Sequence, residues 1–168
     1  MSRRPAPQPG AQPAPDALAP FRSRRGRAVA LGAMWAALVI FGAIAVVLST
    51  QGDSGWGPGD GLMFFGLGAL VAFIAWRYAS IVAVPSRAGL VVRNLVLTRT
   101  LQWPEIVRVQ FGGGEPWVSL DLEDGDTVAV MAIQKADGPV AGREASRLAA
   151  LVQAFGEAPE PDHGEGLE

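Results

Sequence analysis

Four groups of residues in this sequence are of a type and spacing that could do chemistry. Gly112-Gly113-Gly114 could let backbone amides approach a phosphate, because glycines leave the main chain open to close contact. No Lys followed by Ser or Thr comes after the triplet, and no helical pattern opens there, so it reads as a flexible hairpin loop. Asp121, Glu123, Asp124 and Asp126 offer oxygens that could hold calcium or share acid and base work. Gly125 stands in the wrong place for a calcium loop, and Asp121 and Glu123 share the wet face of a strand. Nothing places the carboxylates in an apolar cleft, so the cluster reads as a solvated turn. The third group is Arg87, Arg93, Arg99 and Arg108, whose guanidiniums can grip carboxylate or phosphate bidentately. The fourth is Trp103 and Trp117, aromatics of the kind that anchor partners. These six residues are the candidate contacts for a partner or a headgroup, beside a plainer reading as solvated strand faces and core or rim.

Composition narrows the classes further. There is no Cys among the 168 residues, which removes disulfides, thiolate nucleophiles and Cys-based zinc sites. The one His, His163, lies in an acidic tail, so a His-based catalytic or multi-His metal site cannot be built within one chain. A formal charge of -2 argues against a nucleic-acid partner, since such domains carry a clustered basic excess. The reading is a non-enzyme with no catalytic residue, no metal and no cofactor. Of the 14 basic residues all but Lys135 are Arg, a bias that suggests a GC-rich bacterial genome.

Whatever the six candidates do, a membrane must position them. Residues 28–48 are uncharged, and a helix over them would be about 32 Å long, matching a hydrocarbon core of about 30 Å. A second apolar run, 61–76, follows within about a dozen residues, and Arg77 with Trp76 and Tyr78 can carry that helix through the interface to about Ala79. The first run is too long for a signal-peptide core of 7 to 15 residues, so the pair reads as an uncleaved two-helix hairpin over 28–79. Arg22, Arg24, Arg25 and Arg27 precede it and Arg77, Arg87, Arg93 and Arg99 follow it, while the connection carries Asp53 and Asp60 and no basic residue. The positive-inside rule then puts both termini in the cytoplasm of a bacterial plasma membrane. Small residues at fourfold spacing, Gly32 with Ala36, Ala33 with Ala37 and Gly68 with Ala72, allow close packing within the hairpin or a homodimer through it. Residues 1–27, with six Pro in the first 20, are expected to be disordered, as is the acidic tail 157–168.

After Ser80 the period changes from helix to strand. The runs 81–84, 90–93, 95–103, 106–111, 117–123 and 127–133 are short and rich in Val, Ile, Leu, Thr and Trp. Asp124-Gly125 between two alternating runs signals a hairpin. Asp137-Gly138-Pro139 then opens a helix, with Asp137 as its expected cap. Ala141, Ala145, Leu148, Val152 and Phe155 make one stripe on that helix, and Gly156 ends it. Residues 80–156 thus read as one small β-rich domain closed by a C-terminal helix.

Six strands and one helix after two spans, with the wording Gly89-Leu90-Val91-Val92-Arg93-Asn94, Arg99-Thr100-Leu101-Gln102-Trp103 and Glu105-Ile106, resemble the bacterial pleckstrin-homology-like (PH) domains of small actinobacterial membrane proteins. Asp124-Gly125 and Ala132-Ile133-Gln134 fit the same pattern. The resemblance covers roughly residues 80–155. It implies an antiparallel sheet or partly open barrel plugged by the helix, and a binding or scaffolding module. Lipid-binding relatives cluster Lys and Arg at the first hairpin, where this chain has only Arg87, Arg93 and Arg99. The expected function is a membrane-anchored interaction module with a protein partner at the cytoplasmic face. The alternatives are an anionic-lipid headgroup sensor, or an accessory subunit of a membrane transport or envelope-assembly complex. Seven basic residues against eight acidic between 80 and 156 favour a protein over a lipid as the ligand.

Overall fold

The computed structural model of the chain describes residues 18–50 and 55–156. The Pro-rich stretch to residue 17, Asp53 and the acidic tail 157–168 lie outside them. Two helices come first, α1 (Arg24–Thr50) and α2 (Pro58–Ala79), and both are long and apolar enough to cross a membrane. α1 opens before the uncharged run because Ser23 caps it, its Oγ accepting the Gly26 N–H at 3.0 Å. α2 opens on Pro58, whose missing amide is not needed there, and Asp60 Oδ2 accepts the Gly57 N–H at 2.8 Å.

The helices meet along Ala30 and Ala37 of α1 and Gly61, Gly68 and Ala72 of α2, all buried. A side chain at Gly68 would collide with Phe41, so glycine is what lets the two backbones approach. Of the small-residue pairs in the sequence, Gly68 with Ala72 therefore packs inside the hairpin, whereas Gly32, Ala33 and Ala36 are exposed. Trp35, Val39, Leu62, Met63 and Phe65 also face outward, as a lipid-facing surface does.

The six strands form two antiparallel three-stranded sheets, β1 (Val82–Pro85), β2 (Leu90–Arg93) and β3 (Thr98–Leu101), then β4 (Ile106–Gln110), β5 (Trp117–Leu122) and β6 (Thr127–Gln134). The strand expected over 95–103 is cut at both ends. Residues 94–97 turn, with the Asn94 N–H donating to Leu97 O at 2.9 Å, and Trp103–Glu105 makes a single 3-10 turn around Pro104, which has no amide to give a ladder. Gly125 at φ +86° makes the β5–β6 turn as expected of Asp-Gly.

The sheets do not close into a barrel. They bury one cluster, in which Leu90, Val92 and Leu101 meet Val118, Leu120 and Val130. The helix α3 (Pro139–Gly156) covers the remaining opening with Ala141, Ala145, Leu148 and Leu151 buried and Val152 and Phe155 half-buried beside them. Asp137 does not cap α3; it lies in a 3-10 turn (Lys135–Asp137), and its Oδ1 accepts the Arg25 N–H at 3.4 Å. Its partner is the start of α1.

Residues 18–27, placed by the sequence in a disordered segment, depart most from that expectation. The Phe21 N–H donates to Ala83 O at 2.8 Å and the Ala83 N–H to Phe21 O at 3.1 Å, so the segment pairs with the free edge of β1. The Phe21 ring is fully buried in the core cluster, with Leu18 packed beside it. A residue that precedes the first span thus completes the core of the domain after the second. Phe21→Ala is expected to destabilise the domain by about 3 to 5 kcal/mol, and Leu148→Ala by about 2 to 5 kcal/mol. Thermal unfolding of the purified full chain checks this; wild-type stability in the Phe21 variant would show that its burial contributes nothing.

Candidate functional site

The six residues singled out in the sequence do not come together. The β1–β2 register pairs Val82 with Arg93 and Pro85 with Leu90, which puts Arg93 beside the end of α2 and Arg87 in the 86–89 turn at the far end of the hairpin. Arg99, opposite Val92, reaches across the gap between the sheets to Asp126 in the β5–β6 turn, 3.2 Å away. Arg108 lies on the other sheet opposite Asp121. Trp103 is not a surface anchor. Its ring is buried and stacked at 5.7 Å on Phe155, and its indole N–H donates to Ser86 O at 2.9 Å. Trp117 is half-buried at the start of β5, opposite Gln134.

The acidic residues and the glycines also resolve into turns. Asp124 Oδ1 accepts the Asp126 N–H at 2.9 Å, and Gly112 O accepts from Lys135 Nζ at 2.9 Å. Among the described residues no group of three His, Asp or Glu is arranged to hold a metal ion.

Other arginines do assemble, at the joint between hairpin and domain. Seating Phe21 in the core fixes the chain just ahead of α1, so Arg22 before the Ser23 cap and Arg24, Arg25 and Arg27 in the first turn fan out around the start of that helix. α3 brings Arg143 and Arg147 to the opposite wall. Between them lies a cleft of about 820 Å³ that holds these six Arg and only two acids, Asp137 and Glu144. Both acids are engaged, Asp137 by the Arg25 amide and Glu144 by Arg147. Arg147 has a positioning role as well, with its guanidinium 3.8 Å over the Phe21 ring and donating to Ala19 O at 2.8 Å.

The start of α1 carries the positive end of the helix dipole, and no acid stands in its first turn. Cations gathered there repel both one another and that dipole end, so an anion seated in the cleft would relieve both. A second, apolar groove of about 640 Å³ adjoins the first, walled by Val29 and Ala30 of α1 and by Val71, Ile74 and Ala75 of α2. Tyr78 and Gln134 close its domain end, with Gln134 Nε2 donating to the Tyr78 hydroxyl at 2.9 Å. Arg25 lines both cavities. The joint therefore presents a basic cleft and, beside it, an open apolar groove between the ends of the two helices, with Arg25 on both.

From the sequence, Arg22, Arg24, Arg25 and Arg27 fix topology and can also meet anionic headgroups, while Arg143 and Arg147 fall off the apolar stripe of α3; nothing there joins the two groups. The available signals were the fourfold spacing of Arg143 and Arg147, which shares one helix face, and Phe21, the first aromatic residue of the chain, standing alone in a polar and Pro-rich stretch.

A contact that does hold the sheets in place lies along β6. Asn94 Nδ2 donates to Ala129 O at 2.7 Å, and the Met131 N–H donates to Asn94 Oδ1 at 3.3 Å, so one side chain satisfies both groups of the β6 edge. Asn94→Ala should leave those groups unpaired and cost about 1 to 3 kcal/mol. Arg99→Ala, which breaks an ion pair exposed on both sides, should cost under about 1 kcal/mol. Denaturant unfolding of the two variants checks the ranking; a larger loss at Arg99 would reverse it.

Comparison with known proteins finds a likeness in the strands and the last helix. Residues 83–150 match the family model described as bacterial PH domain. A 50-residue stretch is 48% identical to uncharacterized proteins of Mycobacterium bovis and of two strains of Mycobacterium tuberculosis, covering 30% of this chain and 32% of each relative. The chain thus spans about a third of the length of the curated relatives it matches. No solved structure matches.

Proposed function

From a bacterial PH domain over residues 83–150, and two helices before it that are long and apolar enough to cross a membrane, we propose a membrane-anchored, non-catalytic binding module. Its domain faces the cytoplasm, and its ligand is an anionic phospholipid held at the joint. One observation carries this reading: Arg25 is shared between a cleft of six arginines and an apolar groove between the domain-side ends of α1 and α2. A headgroup phosphate in the first and an acyl chain in the second satisfy both surfaces at once. The near balance of charge over the domain favours a protein ligand, but it averages over residues that lie apart. The joint borrows four of its arginines from outside the domain, and they stand level with the headgroups.

The test is retention of lipid by the purified full chain, followed by native mass spectrometry after exchange into detergent with either phosphatidylglycerol or phosphatidylcholine. Phosphatidylglycerol should be retained in preference. Each Arg near an anionic surface contributes about 1 kcal/mol, so Arg25→Gln with Arg143→Gln should weaken that retention roughly 30-fold. Equal retention of the two lipids, or no effect of the double variant, would overturn the lipid reading and return the cleft to an acidic segment of a protein partner.

Orientation is tested separately. The seating of Phe21 against Ala83 supports the chain before α1 and the domain after α2 sharing one side, and the flanking Arg support the cytoplasm as that side. A reporter active only outside the cytoplasm, fused after Gly156, should stay silent. Activity there would place the domain on the other face.

A further inference from the structure

Residues 94–97 join β2 to β3, and their composition is unusual for a turn. Turns favour Gly, Asn, Asp, Ser and Pro, whereas this one presents Leu95, Val96 and Leu97 after Asn94. Leu95 packs on the core, but Val96 is 80% exposed and Leu97 69%, and no other large apolar side chain of the domain is as exposed as Val96. Two adjacent aliphatic side chains held in water are a cost to the folded state unless something covers them.

The turn is also held firmly. Arg77 Nη2 donates to Leu95 O at 2.7 Å, and Asn94 ties the same turn to the β6 edge through Ala129 and Met131. Arg77 is thus committed to the domain and is not simply reaching for headgroups as the sequence suggests. Arg77 belongs to α2, so the tip is fixed at a definite height on the second span. Val96 lines one surface with Phe73, Ile74 and Arg77. Phe73 lies about 9 Å before the end of α2, at 1.5 Å per residue, which sets Val96 below the helix end and level with its last apolar turns.

We infer that the β2–β3 turn is a third membrane contact, with Val96 and Leu97 inserted at the boundary of headgroups and hydrocarbon beside α2. The occupant of this surface is the bilayer itself, because the apolar patch is continuous with a helix that lipid already surrounds. The inserted tip makes the domain's tilt on the membrane a fixed quantity, held by the hairpin joint on one side and by the turn on the other. The inference rests on α1 and α2 spanning a bilayer and does not depend on the lipid cleft.

The chain has no Cys, so single-Cys labelling needs no prior substitution. Full-length variants Val96→Cys, Leu97→Cys, Ala88→Cys and Val39→Cys are each labelled with an environment-sensitive fluorophore and reconstituted in phosphatidylglycerol–phosphatidylcholine vesicles. Ala88 lies in the 86–89 turn at the opposite end of β1 and β2, and Val39 lies in α1. The labels at 96 and 97 should emit in the blue, be quenched by a lipid-borne nitroxide and resist aqueous iodide, as at 39, while the label at 88 is quenched by iodide. Iodide quenching at 96 and 97 equal to that at 88, with 39 still reached by the lipid nitroxide, would overturn the insertion alone. Protection from both quenchers would also overturn it and assign the tip to a protein contact. Loss of lipid quenching at 39 as well would overturn the spanning hairpin itself.

Discussion

The burial of Phe21 holds the rest of the arrangement together. The ring leaves water completely, which contributes roughly 1.5 to 3 kcal/mol, and its backbone supplies two hydrogen bonds that the edge of β1 would otherwise lack. Joining residues so far apart in sequence would normally carry a loop-closure cost. Here α1 and α2 meet that cost in advance, because their contact along Ala37, Gly68 and Ala72 already sets the two ends of the hairpin side by side. Helix packing and domain folding therefore support each other. The segment leading into the hairpin is a part of the domain's core assembly.

That coupling is what creates the joint. With Phe21 fixed, Ser23 caps α1 at a defined place, the Arg25 amide reaches Asp137, and Arg147 sits over the aromatic ring. The arginines that satisfy the positive-inside rule are thereby turned toward α3 and not left as a loose basic stretch. Asn94 and Arg77 likewise fix the β2–β3 turn against β6 and α2. The domain is thus tied to both helices, so its placement on them follows from side chains that can be named.

Much of this was legible in the sequence because it rests on local rules. The two apolar runs, the period-two alternation of residues 117–122, the Asp124-Gly125 turn and the stripe through Leu148 each depend on near neighbours, and the elements stand where those signals put them. What could not be read depends on distant partners. Phe21 looked like one aromatic in a disordered segment because its pocket is made by residues beyond both spans. Trp103 could be read either as a partner anchor or as core; the fold decides for the core by setting Phe155 and Ser86 beside it. The six-arginine cleft was not legible for the same reason: the four arginines ahead of the first apolar run could be read as facing anionic headgroups, but nothing in the sequence joins them to Arg143 and Arg147, which the seating of Phe21 brings opposite.

The central claim is that the segment before α1 is a fixed part of the β-rich domain. It is tested most directly by a distance measurement between spin labels at Arg22→Cys and Glu123→Cys in the full chain, reconstituted in lipid nanodiscs. A single narrow distance distribution is predicted, broadening when Phe21→Ala is added. A broad distribution in the chain with Phe21 intact would contradict the account, since it would mean that the domain moves freely on its anchor.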